Sequence, residues 1–329
     1  MQAGMTLREN RRRLGATDLH VSPLNLGGNV FGWTADRAAS FAVLDAYRAA
    51  GGNFLDTADV YSAWAPGHRG GESEEMIGAW LRERRCRGEM IVATKVGLGG
   101  PDLGQGLSAE QIRRGCEGSL RRLGLEHLDL YYAHRDDPAT PLETTLAAMD
   151  GLVRSGRVRH LGASNYTAPR LEAALEASAR LGLAAFAVLQ PEYNLVAREK
   201  FEGPLAGLCR ARGLGVCAYF ALAAGFLSGK YAPGSTPAGA RSKHVAGYLE
   251  DARALRVLEA VRAVAGRRRA TPAQVALAWL LERPPVTTPI ASATSAGQLE
   301  ELLGALELKL GTGDLAELDG AYATGPAGA

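Results

Sequence analysis

The sequence predicts an α/β fold: a closed (β/α)8 barrel with an N-terminal β-hairpin across its floor. Three observations carry that reading. Strand-like apolar runs alternate with helical patterns eight times along the chain, the signature of parallel strands joined by helical crossovers. The connections are short except for one, between residues 221 and about 250. No glycine-rich phosphate loop follows the first strand, where a doubly wound sheet, the rival architecture, usually carries one. A length of 329 residues suits either two average domains or one large barrel, and the unbroken alternation favours a single barrel domain over residues 1–329.

In chain order, residues 12–28 hold two short runs around a Gly15-Ala16-Thr17-Asp18 turn, a hairpin leading into the first barrel strand. Helical periodicity over 38–50 stops at Gly51-Gly52. A strand at 53–56 precedes a helix near 73–84, and a strand at 90–95 precedes a helix at 109–123. Ser108 and Gln111 have capping-box spacing, and Gly124 marks the end of that helix. The strand at 128–133 leads to a helix opened by Thr140-Pro141 with Glu143 in capping-box register. Strand 158–163 is followed by helix 168–181, which ends at Gly182, and strand 186–190 by a helix that includes 203–212. Strand 215–219 opens the long Gly-, Ala-, Ser- and Pro-rich segment, and loops of that length are usually functional. Helical patterns resume at 251–265 and 273–282, the second capped by Thr271-Pro272 and Gln274. Strand 286–291 and a helix from Ser295 through about Leu303, with Gln298 in capping register, complete the eight. The small-residue tail from Ala323 reads as frayed.

Composition excludes several functions. Thirty-seven basic against 35 acidic residues leave a net charge of +2, too flat for nucleic acid or an acidic membrane surface. Arg11-Arg12-Arg13 is then expected on a solvated face. No apolar run approaches the ~20 residues of a membrane helix, and residues 1–10 lack a signal-peptide core. Cys86, Cys116, Cys209 and Cys217 are scattered without metal spacing, so reduced buried thiols, no metal and a cytoplasmic location are expected. Gly311-Thr312-Gly313-Asp314-Leu315-Ala316 matches a dinucleotide fingerprint by letters, but stands too near the C-terminus for a βαβ unit. Gly229-Lys230 lacks the first glycine and the Ser/Thr of a P-loop, having Ala224 and Tyr231.

The chemistry gathers at strand ends. One strand finishes at Asp56, with Tyr61 five positions on; the next two finish at Lys95 and His134. Barrel catalysis sits at the C-terminal ends of strands. A phenol with a pKa of about 10 is a poor acid, but a nearby ammonium stabilises its phenolate, and a carboxylate holds the ammonium charged. Such a tyrosine can protonate a nascent alkoxide, with a neutral imidazole orienting the carbonyl. Each residue alone has a structural reading: Asp56 as a helix cap, Tyr61 as a packed surface aromatic, His134 as a satisfied loop histidine. Their joint placement on three successive strand ends favours function. Protonating a carbonyl oxygen while hydride attacks its carbon requires a nicotinamide.

The runs Asn53-Phe54-Leu55-Asp56-Thr57-Ala58-Asp59-Val60-Tyr61, Ala93-Thr94-Lys95, Tyr132-Ala133-His134-Arg135 and Leu161-Gly162-Ala163-Ser164-Asn165-Tyr166 resemble successive signatures of the aldo-keto reductase family. Leu189-Gln190-Pro191-Glu192-Tyr193-Asn194 and Tyr219 with Gly225–Lys230 continue the series. The likeness runs from about Arg12 to Leu303 and is nearest the bacterial branch that includes relatives of potassium-channel β-subunits. It implies an NAD(P)H-dependent carbonyl reductase, with Tyr61 as proton donor, Asp56 and Lys95 as its tuners, and His134 orienting the substrate. It further implies that Ser164, Asn165 and Gln190 hold the nicotinamide carboxamide and Tyr219 stacks on the ring. Leu222, Gly225, Leu227 and Lys230 would line the pyrophosphate, with Gly28, Phe220, Ser292, Thr294, Gln298 and Glu301 completing the cofactor contacts.

Three departures stand out. Thr294 replaces the arginine that would pair with a ribose 2′-phosphate, and Leu302 the adenine-contacting asparagine. NADPH is still expected, with NADH open, and Arg241 or Lys243 could supply the missing charge. Phe220 replaces the usual serine or glycine after the strand-seven tyrosine. Trp33 and Trp64 are expected as walls of the substrate pocket, with Phe31 nearby and the insert from Ala65 to Gly71 as further contacts or plain surface. The expected substrate is an aldehyde or ketone, a sugar or another small carbonyl compound, and the sequence does not choose among them. Two rivals remain: a cofactor-sensing subunit of a partner protein, and a class I aldolase with a Schiff base on Lys95.

Overall fold

In the computed structural model, residues 7–231 and 242–323 are described. Strands Asn25–Gly27, Phe54–Asp56, Ile91–Val96, Leu128–Ala133, Val158–Ser164, Phe186–Gln190, Gly215–Ala218 and Val286–Ala291 pair in parallel in that order, and the last returns to the first. They close the predicted (β/α)8 barrel.

Alternation along each strand divides the side chains into two sets, because successive residues face opposite sides. One set, including Leu26, Leu55, Val92, Leu161, Leu189 and Val216, packs outward under the helices. The other fills the lumen: Phe54, Ala93, Leu130, Tyr132, Val188, Cys217 and Ile290. Two residues further on, the same parity gives Asp56, Lys95, His134, Gln190, Tyr219 and Ser292. The polar mouth is therefore the top layer of the same inward stack. Gly162 belongs to the inward set by necessity: a Cβ there would lie 2.3 Å from the Tyr132 ring.

The N-terminal hairpin, Arg12–Arg13 against His20–Val21, closes the opposite end. Its Leu14, Leu19 and Val21 join the lumen cluster. Gly15 (φ +57°) sits so close to the start of strand Gly215–Ala218 that a Cβ would stand 2.2 Å from the Gly215 nitrogen. The arginine run beside it departs in part from the expectation of a solvated face. Arg12 is half-buried and donates to the Leu281 and Thr287 carbonyls at 3.5 and 3.3 Å, and Arg13 donates to the Thr17 carbonyl at 2.7 Å. The Arg12 contacts tie the plug to the barrel wall, while Arg13 is exposed, as expected, and bonds within the plug.

Local signals fared unequally. Thr271 and Gln274 form a full capping box, and Gly124 and Gly182 end their helices in the left-handed conformation. At Ser108 only half a box forms, because Gln111 turns its amide to the Gly104 carbonyl at 2.7 Å. The same holds at Ser295, where Gln298 accepts instead from Thr294. Thr140 caps nothing; its hydroxyl goes to Asp137 at 2.6 Å. The segment predicted as loop between 221 and about 250 contains a 3-10 stretch, Ala223–Ser228, and a helix, Ser242–Glu250. A small hairpin, Leu98–Gly100 with Leu103–Gln105, and a last helix, Thr312–Ala323, were also not anticipated. Gly311 opens that helix, its N–H donating to Asp314 at 3.0 Å, so the fingerprint-like letters there serve a cap. The four cysteines are free and buried, and the tail after Ala323 lies outside the described residues.

Candidate active site

The barrel mouth opens into a cavity of about 930 Å³. At its base, the Lys95 ammonium donates to Asp56 Oδ1 at 2.6 Å, to the Thr57 carbonyl at 2.8 Å and to Tyr61 Oη at 2.8 Å. Tyr61 in turn donates to Asp56 Oδ1 at 3.2 Å, and Gln190 Nε2 donates to Asp56 Oδ2 at 2.7 Å. Lys95 and Asp56 are fully buried. Burial lowers the lysine's hold on its proton, while the Asp56 carboxylate opposes that. The His134 ring is centred 6.2 Å from that of Tyr61. Burial, then the charges of Lys95 and Arg135, pushes its pKa well below the ordinary value. It is a neutral imidazole at pH 7.

Above this base, Asn165 is the hub. It sits at φ +58°, a conformation asparagine tolerates better than most. Its amide donates to the His134 carbonyl at 2.9 Å and to Ser164 Oγ at 3.1 Å, while its oxygen accepts from Tyr219 Oη at 2.7 Å. Ser164 donates to the Gln190 carbonyl at 2.9 Å. Phe220 (φ +51°), Ala223 (+48°), Ala224 (+57°) and Gly225 (+98°) then turn the chain into a tight left-handed curl. Curls of this kind gather backbone dipoles into anion-binding hollows. A Cβ on Gly225 would lie 3.8 Å from Lys230 Nζ. The common serine or glycine at position 220 has a physical reason here: the site demands positive φ, which a bulky residue adopts at a cost. The Phe220 carbonyl is fixed by Asn194 Nδ2 at 2.9 Å and the Ala223 N–H at 2.7 Å.

Asp56, Tyr61, His134, Ser164, Asn165, Gln190, Tyr219, Phe220, Leu222, Gly225, Lys230, Ser292, Thr294, Gln298 and Glu301 all line this one cavity, as do Trp33 and Trp64. Lys95 touches it through Tyr61. Two predicted contacts stand behind the wall. Leu227 is fully buried in the outer core. Gly28 donates to the Asp56 carbonyl at 2.7 Å and accepts from Ser73 Oγ at 2.7 Å, bracing the strand end from outside. Phe31 is buried as well. Arg241 and the side chain of Lys243 lie outside the described residues.

Sequence reasoning passed over Asn29, Leu98, Arg135 and His244, which also line the cavity. Asn29 accepts from Ser292 Oγ at 2.6 Å. Arg135 follows His134 directly, a signal that was there to read; Leu98 and His244 ride on two of the elements the sequence did not betray.

Behind Lys95 lies a second buried charge group. Glu74 accepts from Thr94 Oγ1 at 2.5 Å and from Arg122 Nε at 2.6 Å. Beside it, neither carboxylate oxygen of Asp59 has a hydrogen-bond partner among the described residues. Burial, followed by the charge of Glu74, pushes Asp59 up to about 7.

The fold is thus a closed parallel barrel whose mouth couples a tyrosine to a buried lysine–aspartate pair. Residues 23–323 match the Aldo/keto reductase family, and the chain belongs to it. Members of that family act with NADPH or NADH. The chain is 35% identical over 305 residues to a probable voltage-gated potassium channel subunit beta of Oryza sativa subsp. japonica, covering 90% of this chain and 91% of the relative. It is 35% identical over 304 residues to the uncharacterized oxidoreductase YrpG of Bacillus subtilis, with the same coverage of 90% and 91%. Similarity to the aldo-keto reductase str7 of Strobilurus tenacellus is 35% over 281 residues, 82% of this chain and 77% of that protein. Among the described residues no helix is long and apolar enough to cross a membrane.

Proposed function

We propose that this chain reduces an aldehyde or ketone to the alcohol with a reduced nicotinamide dinucleotide, Tyr61 acting as the general acid. The observation that carries the reading is the 2.8 Å contact from Lys95 Nζ to Tyr61 Oη inside a buried, carboxylate-anchored group. The ammonium stabilises the phenolate left when Tyr61 gives up its proton to a developing alkoxide, an effect worth ~10²–10⁴-fold. Asp56 keeps that ammonium oriented, and Gln190 keeps Asp56 in place. Neutral His134 directs the carbonyl oxygen toward Tyr61 as a hydrogen-bond partner and leaves the acid role to the phenol. A lysine already donating three hydrogen bonds has no lone pair for a Schiff base, which argues against the aldolase reading.

The donor set fits the cofactor. Ser164, Asn165 and Gln190 offer amide and hydroxyl groups for a carboxamide, and Tyr219 offers a ring face. Leu222, Gly225 and Lys230 suit a pyrophosphate in the left-handed curl, with Leu227 and Gly28 as supports behind. Ser292, Thr294, Gln298 and Glu301 suit the adenosine end. When bound, the dinucleotide supplies hydride to the carbonyl carbon. We take NADPH as the first choice of cofactor and NADH as the competitor, since Thr294 brings no charge to the far end.

The name of the rice relative favours a second reading, a cofactor-holding subunit for a partner. The decisive experiment is titration with NADPH and NADH followed by an aldehyde and ketone panel. Loss of reduced-cofactor absorbance in the wild type, and not in Tyr61→Phe, supports catalysis. Tight cofactor binding with no turnover on any carbonyl supports the subunit reading instead.

A further inference from the structure

The substrate end of the cavity contains a cation that the chemistry above leaves unused. Arg135 lines the cavity and is exposed. The acids that follow it are engaged elsewhere: Asp136 pairs with Arg170 at 2.8 Å, and Asp137 accepts from the Leu107 N–H and Thr140. Of the acidic residues that line the cavity, Asp56 is held by Lys95, and Glu301 sits at the far end with Thr294 and Gln298. Arg135 makes no ion pair among the described residues, and the carboxylate whose charge shares its surroundings is Glu192, which also bears on Tyr219. The field of Arg135 reaches the working groups, bearing on both His134 and Tyr219.

The same cavity also has flat, apolar lining. Trp64 is 50% exposed, one of two large hydrophobic side chains so exposed among the described residues. Its ring lies edge-on to Trp33 at 5.3 Å and to Tyr61 at 6.0 Å. Val30 and Leu98 also line the cavity. A substrate that satisfies both surfaces is planar or aromatic along its body and anionic at one end, because a guanidinium fork matches a carboxylate in two parallel hydrogen bonds.

We propose that Arg135 is the specificity residue of this site and that it selects aldehydes or ketones bearing a carboxylate on a flat apolar body, the aromatic oxo acids. The proposal rests on the reductase reading. Because Arg135 is at the rim, the pairing is screened by water and salt, so a modest preference of roughly 5- to 10-fold is expected.

The test compares kcat/KM for 4-carboxybenzaldehyde and benzaldehyde in the wild type, Arg135→Gln and Arg135→Lys, at low and high salt. The wild type should favour the carboxylated aldehyde by roughly 5- to 10-fold, mostly through KM. The ratio should fall to about one in Arg135→Gln, be partly retained in Arg135→Lys, and shrink as salt rises. Quenching of tryptophan fluorescence by benzoate should weaken in parallel. A ratio that is the same in wild type and Arg135→Gln overturns the proposal. So does an equal loss on both substrates, which would make Arg135 a general support of the site. Reduction of no carbonyl at all overturns the reductase reading, and this inference with it; that result differs plainly from benzaldehyde reduced with an unmoved ratio.

Discussion

The two ends of the cavity are built differently. At the tetrad, Lys95 donates to three acceptors and Asp56 accepts on both oxygens, with Lys95, Asp56 and Gln190 on barrel strands and Tyr61 on the turn that follows Asp56. At the far end, Thr294 and Gln298 bond mainly to each other, on a strand-to-helix turn that is exposed to solvent. The base is preorganised for one reaction, and its groups are over-determined by neighbours. The far end has fewer fixed contacts, and on the proposed reading one substitution there should alter which molecule is preferred without disturbing the base. Rate should therefore reside in the first region and choice in the second.

The strongest way to break that contrast is Lys95→Met. It should lower kcat by ~10²–10⁴-fold, because the phenol loses the charge that stabilises its conjugate base. The fold should survive, as checked by circular dichroism, since Gln190 and Tyr61 still contact Asp56. Near-normal turnover would remove Lys95 from the assigned role. Thr294→Arg should sharpen the other side of the contrast. It should raise the ratio of NADPH to NADH affinity by roughly 10-fold with little change in kcat, by adding a charge-assisted pair to a 2′-phosphate. Competitive titration of the two dinucleotides would read it, and an unchanged ratio would show that another group already supplies that charge.

The smallest expected effect lies behind the base. Asp59 is raised from its ordinary value of 3.8 to about 7. The folded state thus binds the proton more tightly than the unfolded chain, and stability is lost as pH climbs from 3.8 to about 7, the loss being complete above that. Asp59→Asn should remove that loss, adding on the order of 1–2 kcal/mol at pH 8 and little at pH 4. Thermal unfolding at the two pH values would measure it; a stabilisation that is equal at both, or larger at pH 4, would contradict the assignment.

Much of this was legible in the chain because barrels write their inward parity into each strand. Phe54 to Asp56, Ala93 to Lys95 and Val188 to Gln190 are each two-residue steps from lumen to mouth. Capping was legible only where no stronger partner competed. Thr271 kept its box, whereas Gln111, Gln298 and Thr140 were drawn to the Gly104 carbonyl, Thr294 and Asp137. Helix Ser242–Glu250 was hidden by a composition rich in small residues. It is held by tertiary contacts, Tyr248 stacked on Phe226 at 5.3 Å and His244 edge-on to Phe220 at 5.8 Å. Helix Thr312–Ala323 depends likewise on Asp314 and Asp319 reaching Arg268 and Arg283. Ion pairs between distant segments leave no local periodicity to detect.

The hairpin plug has one more consequence. Leu14, Leu19 and Val21 cork the floor of the cylinder among the described residues, so on the proposed reading both reactants share the entrance at the mouth. Whichever lies deeper has to arrive first and depart last, and steady-state kinetics should show a compulsory order rather than random association.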